Sequence, residues 1–347
     1  MLYTVSFLNQ IVILDADSHI VNVVEDACRP FYTFSHNVAS SSSEASQATL
    51  PIRLKVLVDG SKVGQAKQKI DGFMQTIPLH ANKIGLKLRS TEDLVEVVDL
   101  VGGVCYFVRP KASVVMIIEE LNDVTFLEIV RILRGLLLDC AQRAGYARVH
   151  AAAVKVNGHI ILLVGDKGAG KTSFLTCALK SPVERASLIT NDRGLVGTDN
   201  SIWGYPYAVA MSPECVPDCP ELKPNSRTRR NGSGKYLFWP TEFVSSFHRS
   251  LDPGGEISAV VMPRLNLASS TINLGMPSVD EIEREIDKLG SPDGEVHPTW
   301  LVELIRENEP PSFTPWSLMS LNWFVMEGNP WKDDWVTKVL NSLVRTV

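Results

Sequence analysis

Five apolar residues, Ile160-Ile161-Leu162-Leu163-Val164, run without a break into Gly165-Asp166-Lys167-Gly168-Ala169-Gly170-Lys171-Thr172. An uninterrupted run of β-branched and aliphatic residues predicts a central strand buried on both faces. The segment after it, 173–179, reads as a helix, and 187–190 as another short strand. Strand, glycine-rich turn and helix in that order fit the pattern G-x-x-x-x-G-K-[ST]. Glycines let successive backbone N–H groups turn inward as an anion-binding concavity. The start of the following helix adds partial positive charge. Gly165, Asp166, Lys167, Gly168, Ala169, Gly170, Lys171, Thr172 and Ser173 are therefore the expected nucleotide-binding residues. Lys171 is expected on the β- and γ-phosphates, and the Thr172 hydroxyl on Mg²⁺.

Such a loop needs a carboxylate at the end of a nearby strand. Leu188-Ile189-Thr190-Asn191-Asp192 supplies one. Asp192 is expected to bind Mg²⁺, to accept the proton of an acceptor hydroxyl, or both. Arg193 follows it and is placed to pair with Asp192 or with phosphate. Upstream, 148–156 and 159–164 read as two strands joined by Asn157-Gly158, the residues that a type I′ hairpin turn favours.

The rest of the chain supports a second, different region. A length of 347 residues accommodates two domains at about 100–200 residues each. Short apolar segments at 2–7, 11–14, 52–58, 104–108 and 114–118 predict a β-rich N-terminal domain over 1–120. A serine-rich polar run at 40–46 interrupts it and reads as a loop. A helix is expected over 124–144, with Leu127, Val130, Leu133, Leu137 and Cys140 at three- and four-residue steps, opening a second domain at 121–347. The C-terminal third is expected to add a strand at 257–262 and helices at 279–289 and 335–344. It also holds a basic stretch with Lys223, Arg227, Arg229, Arg230 and Lys235, read as a flexible loop or a phosphate clamp. Lys235 is the residue singled out there. Trp316, Trp323, Trp331 and Trp335 crowd the C-terminus as packing residues or a peptide groove.

Bulk properties narrow the partners. The net charge of −5 gives no global pull towards nucleic acid or anionic membrane. No run reaches about 18 apolar residues, so no membrane span is expected. The first basic side chain is Arg29, and Asp15 and Asp17 interrupt the N-terminal apolar run, which argues against a signal peptide. Six scattered cysteines, with one isolated C-x₃-C at Cys215 and Cys219, predict free thiols in a cytoplasmic protein rather than a zinc site.

Val149-His150-Ala151-Ala152-Ala153-Val154, Asn157-Gly158, the phosphate loop and 188–193 together resemble the catalytic domain of HPr serine kinase/phosphorylase. They are more similar to that enzyme's divergent relatives, which modify peptides or metabolites. The phosphoenolpyruvate carboxykinases share this nucleotide-binding core. The resemblance spans 150–193, with looser matches at Gly204-Tyr205-Pro206 and Lys235-Tyr236-Leu237, and does not reach 1–120. It implies an α/β P-loop kinase domain preceded by a β-rich accessory domain. It also implies a catalytic role for His150 beside the phosphates or acceptor. The chain departs from the family where two aspartates commonly follow the strand: here they are Asn191 and Asp192. The downstream glycine-rich signature for HPr is missing, so HPr is not the expected substrate.

The expected activity is an ATP- and Mg²⁺-dependent kinase acting on a hydroxyl of a peptide or small metabolite. An ATPase or nucleotide switch without an acceptor, and a degenerate ATP-binding module, are the rival readings. A homo-oligomer is compatible with all three.

Overall fold

The computed structural model describes residues 1–36, 51–69, 75–80, 83–91, 93–110, 112–181, 185–224, 228–231, 233–290, 301 and 314–345. The serine-rich run at 40–46 and Arg227 lie outside them. The chain is mixed α/β and divides into two compact units, one built on Met1–Ala144 and the other on Gly145–Asp293 with Ser312–Val347.

The first unit is a nine-stranded sheet. Its strands run in the order Thr33–His36, Leu2–Phe7, Gln10–Asp15, Ile52–Val58, Ser113–Ile118, Val104–Arg109, Val95–Asp99, Lys83–Ser90, Gln75–His80. Ile52–Val58 is parallel to both its neighbours, and the remaining pairs are antiparallel. The strands expected from apolar runs are all present. Among the described residues, the helices Ser18–Cys28, Gly60–Gln68 and Asp123–Arg143 accompany them. Ser18–Cys28 buries Ile20, Val21, Val24 and Cys28 on one face at helical spacing, whereas Gly60–Gln68 buries only Val63 and Ala66.

The helix Asp123–Arg143 belongs to this unit, not to the domain it was expected to open. It packs on strands Leu2–Phe7, Gln10–Asp15 and Ile52–Val58 and on the helix Ser18–Cys28. Asn122 starts it with a capping box. The Asn122 side chain accepts from the Val124 and Thr125 N–H groups at 2.9 and 3.1 Å, and the Thr125 hydroxyl accepts from the Asn122 N–H at 2.9 Å. Ile129, Leu133, Leu136 and Leu137 are buried along its inner face. The boundary between units therefore falls at Ala144, not near residue 120.

The second unit is a sheet running Ala147–Val149, Gly194–Val196, Ser201–Trp203, Gly254–Leu265, His159–Leu163, Ala152–Val156, Ala186–Thr190, Ser250–Leu251. The long strand Gly254–Leu265 also pairs in parallel with Trp323–Gly328, which in turn pairs with Ile272–Gly275. His159–Leu163 is parallel to Gly254–Leu265 on one side and antiparallel to Ala152–Val156 on the other. Asn157 and Gly158 join the latter pair with φ of 50° and 89°, the positive values that a type I′ turn requires.

Alternation along the central strand sends its residues to two cores, as a strand buried on both faces requires. Ile161 and Leu163 pack with Phe174, Leu175 and Ala178 of the helix Lys171–Lys180 and with Trp335 and Val339 of the helix Trp335–Arg345. Ile160, Leu162 and Val164 pack with Ile286 and Leu289 of the helix Val279–Gly290 and with Trp323. Helices thus cover both faces of the sheet. Trp335 is 1% exposed, and its indole N–H donates to the Phe174 carbonyl at 3.1 Å. Trp323 donates to the Leu318 carbonyl at 2.8 Å. Both are packing residues, whereas Trp316 is half exposed.

Trp335→Ala removes this indole from beneath the helix that follows the phosphate loop. Truncating a buried aromatic costs about 3–5 kcal/mol. Urea unfolding of the variant should show that loss in the transition of the second unit, with the first unit's transition unmoved. No helix among the described residues is long and apolar enough to cross a membrane. All six cysteines are free thiols.

Candidate active site

The strand His159–Leu163 ends opposite Val261, while its parallel neighbour Gly254–Leu265 runs four residues further, alongside the loop Gly165–Gly170 that leads into the helix Lys171–Lys180. The Val164 N–H donates to the Val261 carbonyl at 2.9 Å, and the Leu265 N–H donates to the Ala169 carbonyl at 3.0 Å. The neighbouring strand therefore clamps the loop at both its ends. Gly170 sits at φ 101°, and a Cβ there would lie 2.8 Å from Cβ of Leu265. Both the backbone angle and the close approach demand glycine. Gly165 and Gly168 also have positive φ, at 141° and 92°. Among the described residues no side chain caps the start of the helix, whose first N–H groups lie at the end of the loop.

Lys171 folds back over this loop. Its ammonium donates to the Gly165 carbonyl at 2.6 Å and lies 3.4 Å from the Asp166 carbonyl. The side chain is buried, and that burial lowers its pKa. The charges of Asp192, Asp166 and Glu285 oppose the shift, while the nearby charge of Lys235 adds to it. Thr172 is half buried in the first turn, and its carbonyl accepts from the Thr176 hydroxyl at 2.7 Å. Ser173 is buried and hydrogen-bonds the Cys215 thiol, so only its backbone N–H faces the loop end of the helix. Lys167 is exposed at the tip of the loop. The Asp166 carboxylate is turned away to Lys288, 3.0 Å from its ammonium.

The second half of the site comes from the antiparallel pair Ala152–Val156 and Ala186–Thr190. Ala153 is opposite Thr190, so the chain just before one strand meets the chain just after the other. That register brings His150 to Asp192, with Nε2 3.0 Å from Oδ1. Nε of Arg193 lies 3.4 Å from the other carboxylate oxygen. The Thr190 hydroxyl donates to the Arg193 carbonyl and closes the turn. Burial pushes the Asp192 pKa up, but the His150 hydrogen bond and the charges of His150, Arg193 and Lys171 outweigh it. They hold the carboxyl below its ordinary value. Asp192 is therefore ionised at neutral pH. Beside it, Asn191 is 6% exposed, and its carbonyl oxygen has no hydrogen-bond partner among the described residues. The Arg193 guanidinium also lies over the Tyr207 ring, 5.9 Å from its centroid.

The described part of the basic stretch includes a short strand. Arg229–Arg230 pairs with Tyr236–Phe238, which pairs with Val209–Met211, in a small separate sheet. Asn231 organises the turn between the first two. Its side chain accepts from the Ser233 and Lys235 N–H groups at 3.1 and 3.0 Å, and its own N–H donates to the Lys235 carbonyl at 3.0 Å. Phe238 and Met211 pack into the core that contains Phe174 and Leu175. This sheet is thereby seated on the helix of the phosphate loop, and Lys235 lies within electrostatic reach of Lys171. Arg230 donates to the Tyr236 hydroxyl at 2.6 Å and stacks on its ring, and Lys223 is exposed. His159 is exposed at the hairpin turn.

The structure thus gathers Lys171, Thr172, Asp192, His150 and Arg193 at one end of the sheet. Lys288 and Glu285 join them from the helix Val279–Gly290, and sequence reasoning missed both. Nothing in their spacing distinguishes them from other charges on an amphipathic helix. Among the described residues no group of three His, Cys, Asp or Glu side chains is placed to hold a metal ion. No family model matches the chain, and no curated protein matches it either.

Proposed function

We propose that the second unit is a P-loop phosphotransferase, of the type the HPr kinases and phosphoenolpyruvate carboxykinases represent. It moves the γ-phosphoryl group of Mg·ATP to a hydroxyl of a peptide or small metabolite. One observation carries this reading. The loop that Lys171 closes over and an ionised Asp192 paired with His150 share one end of the sheet.

The residues fit a metal–nucleotide complex. Thr172 and Asp192 would hold Mg²⁺ together with phosphate oxygens and water, a set that needs no three-residue protein cage. The unpartnered Asn191 oxygen is a neutral donor beside them. Bound Mg²⁺ would neutralise charge on the β- and γ-phosphates. Lys171 and the helix N–H groups bind the same oxygens. Arg193 and His150 orient Asp192, and Lys235 adds positive charge on the open side.

The acceptor oxygen forms a bond to the γ-phosphorus while the bond from the β–γ bridging oxygen breaks, and ADP leaves. Asp192 accepts the hydroxyl proton. A carboxylate of lowered pKa is a weak base, but a loose transition state asks for the proton only late, as the new P–O bond forms.

The test is Mg·ATP with hydroxyl-bearing peptides and metabolites, read by a mass gain of one phosphoryl group. Acceptor-dependent ADP release supports the kinase. Acceptor-free release marks an ATPase, and tight binding without release marks a binding module. Nucleotide should also stabilise the fold. A ligand bound only by the folded state adds about 2.7 kcal/mol at a hundredfold excess over Kd. Mg·ATP is therefore expected to raise the melting temperature of the second unit, and no shift at millimolar concentration would sink the site.

A further inference from the structure

The helix Val279–Gly290 does more than cover the sheet. Ile286 and Leu289 are buried against Ile160, Leu162 and Val164, the strand that feeds the phosphate loop. Arg264, one residue before the Leu265 contact with the loop, donates to Glu281 at 2.8 Å. The helix backbone is thus fixed beside the loop. From it Lys288 reaches across, and its ammonium donates to both Asp166 oxygens at 3.1 and 3.0 Å and to Glu285 at 2.9 Å. Glu285 is buried, whereas Asp166 and Lys288 are largely exposed. Asp166 and Glu285 are also the carboxylates, after Asp192, whose charges act on Lys171. Lys288 therefore belongs to the same electrostatic neighbourhood as the phosphate-binding lysine.

We infer that Lys288 is a second phosphate-binding cation, resting on the Asp166 carboxylate and exchanging it for the triphosphate when nucleotide binds. The inference rests on the P-loop reading above. An exposed ion pair contributes little stability, so giving it up is cheap. The incoming triphosphate concentrates more negative charge than one carboxylate. Only the flexible stem of Lys288 has to move, because its helix is anchored. Asp166 then acts as a competitor for Lys288, and lowers nucleotide affinity through it.

This makes the two partners' effects opposite in sign. Mg·ATP binding is measured by calorimetry on the full chain for Lys288→Met, Lys288→Arg, Asp166→Asn and the double variant Asp166→Asn/Lys288→Met, with melting temperatures without nucleotide as the folding control. Lys288→Met should weaken binding about tenfold or more, the scale of a lost charge-assisted hydrogen bond. Lys288→Arg should keep it within a few-fold. Asp166→Asn should tighten it, and that gain should vanish in the double variant. Unchanged affinity in Lys288→Met, with only a lower melting temperature, would make Lys288 a helix anchor and overturn the inference. So would an Asp166→Asn gain that persists without Lys288, because Asp166 would then act by its own charge alone. Lys171→Ala is the control for the underlying reading. If it binds Mg·ATP as the wild type does, that reading fails and takes this inference with it. If it loses binding while Lys288→Met does not, only the inference fails.

Discussion

Lys171→Ala should abolish phosphoryl transfer and weaken Mg·ATP binding, with both units still folded. The ammonium is held within the loop itself, 2.6 Å from the Gly165 carbonyl, where β- and γ-phosphates would approach the backbone N–H groups. Its burial weakens competition from water, so its charge acts at low effective dielectric. Burial also makes the free lysine less comfortable, as the lowered pKa records. Removing it therefore costs little stability while stripping the main fixed charge from the transition state. Turnover is read by acceptor-dependent ADP release and folding by circular dichroism. Wild-type turnover in a folded variant would rule out the P-loop reading.

Asp192→Asn should lower kcat by at least about a hundredfold while changing Mg·ATP affinity less than about tenfold. General-base catalysis contributes about 10²–10⁴-fold, and a displaced metal adds to the loss. The phosphates keep their hold on Lys171, which loses only the charge of Asp192 nearby, and on the helix N–H groups. The variant also leaves His150 and Arg193 facing a neutral amide. Asn191→Asp is the companion. It restores the paired acids of the resembling kinases, at a position whose buried carbonyl oxygen has no partner. It should preserve or raise activity if one acid is limiting. Near-normal turnover in Asp192→Asn would move the base to His150, and His150→Gln would then carry the loss instead.

The phosphate loop and its flanking strands were legible because glycine geometry and an unbroken apolar run are local signals. Asn157-Gly158 announced its hairpin for the same reason. Asp192 was found through its distance past the loop. The pairing of His150 with it follows from strand register, which neither spacing nor the resemblance supplies; the resemblance implies only a place for His150 beside the phosphates or acceptor. Periodicity makes the helix Asp123–Arg143 legible but not the unit it belongs to. Ser18–Cys28 and Gly60–Gln68 are short, and the partners of Asp123–Arg143 lie far off in sequence at 2–7, 10–15 and 52–58. Lys288 was out of reach altogether. It meets Asp166 only because the helix Val279–Gly290 buries Ile286 and Leu289 beneath the loop strand.

The long strand Gly254–Leu265 has a further consequence, for the order in which the chain can mature on the ribosome. The phosphate loop is made early, yet the strand that clamps Ala169 is made only after Leu265, and that strand's own parallel partner only after Gly328. Pairings this distant in sequence are slow, because loop-closure entropy is spent before contacts repay it. Until Trp323–Gly328 docks, the edge of this strand over 260–265 lacks its parallel partner, the kind of edge that recruits other chains. Nucleotide added during synthesis would find no finished loop to bind. Chains released before Gly328 should therefore aggregate rather than accumulate as a partly folded second unit.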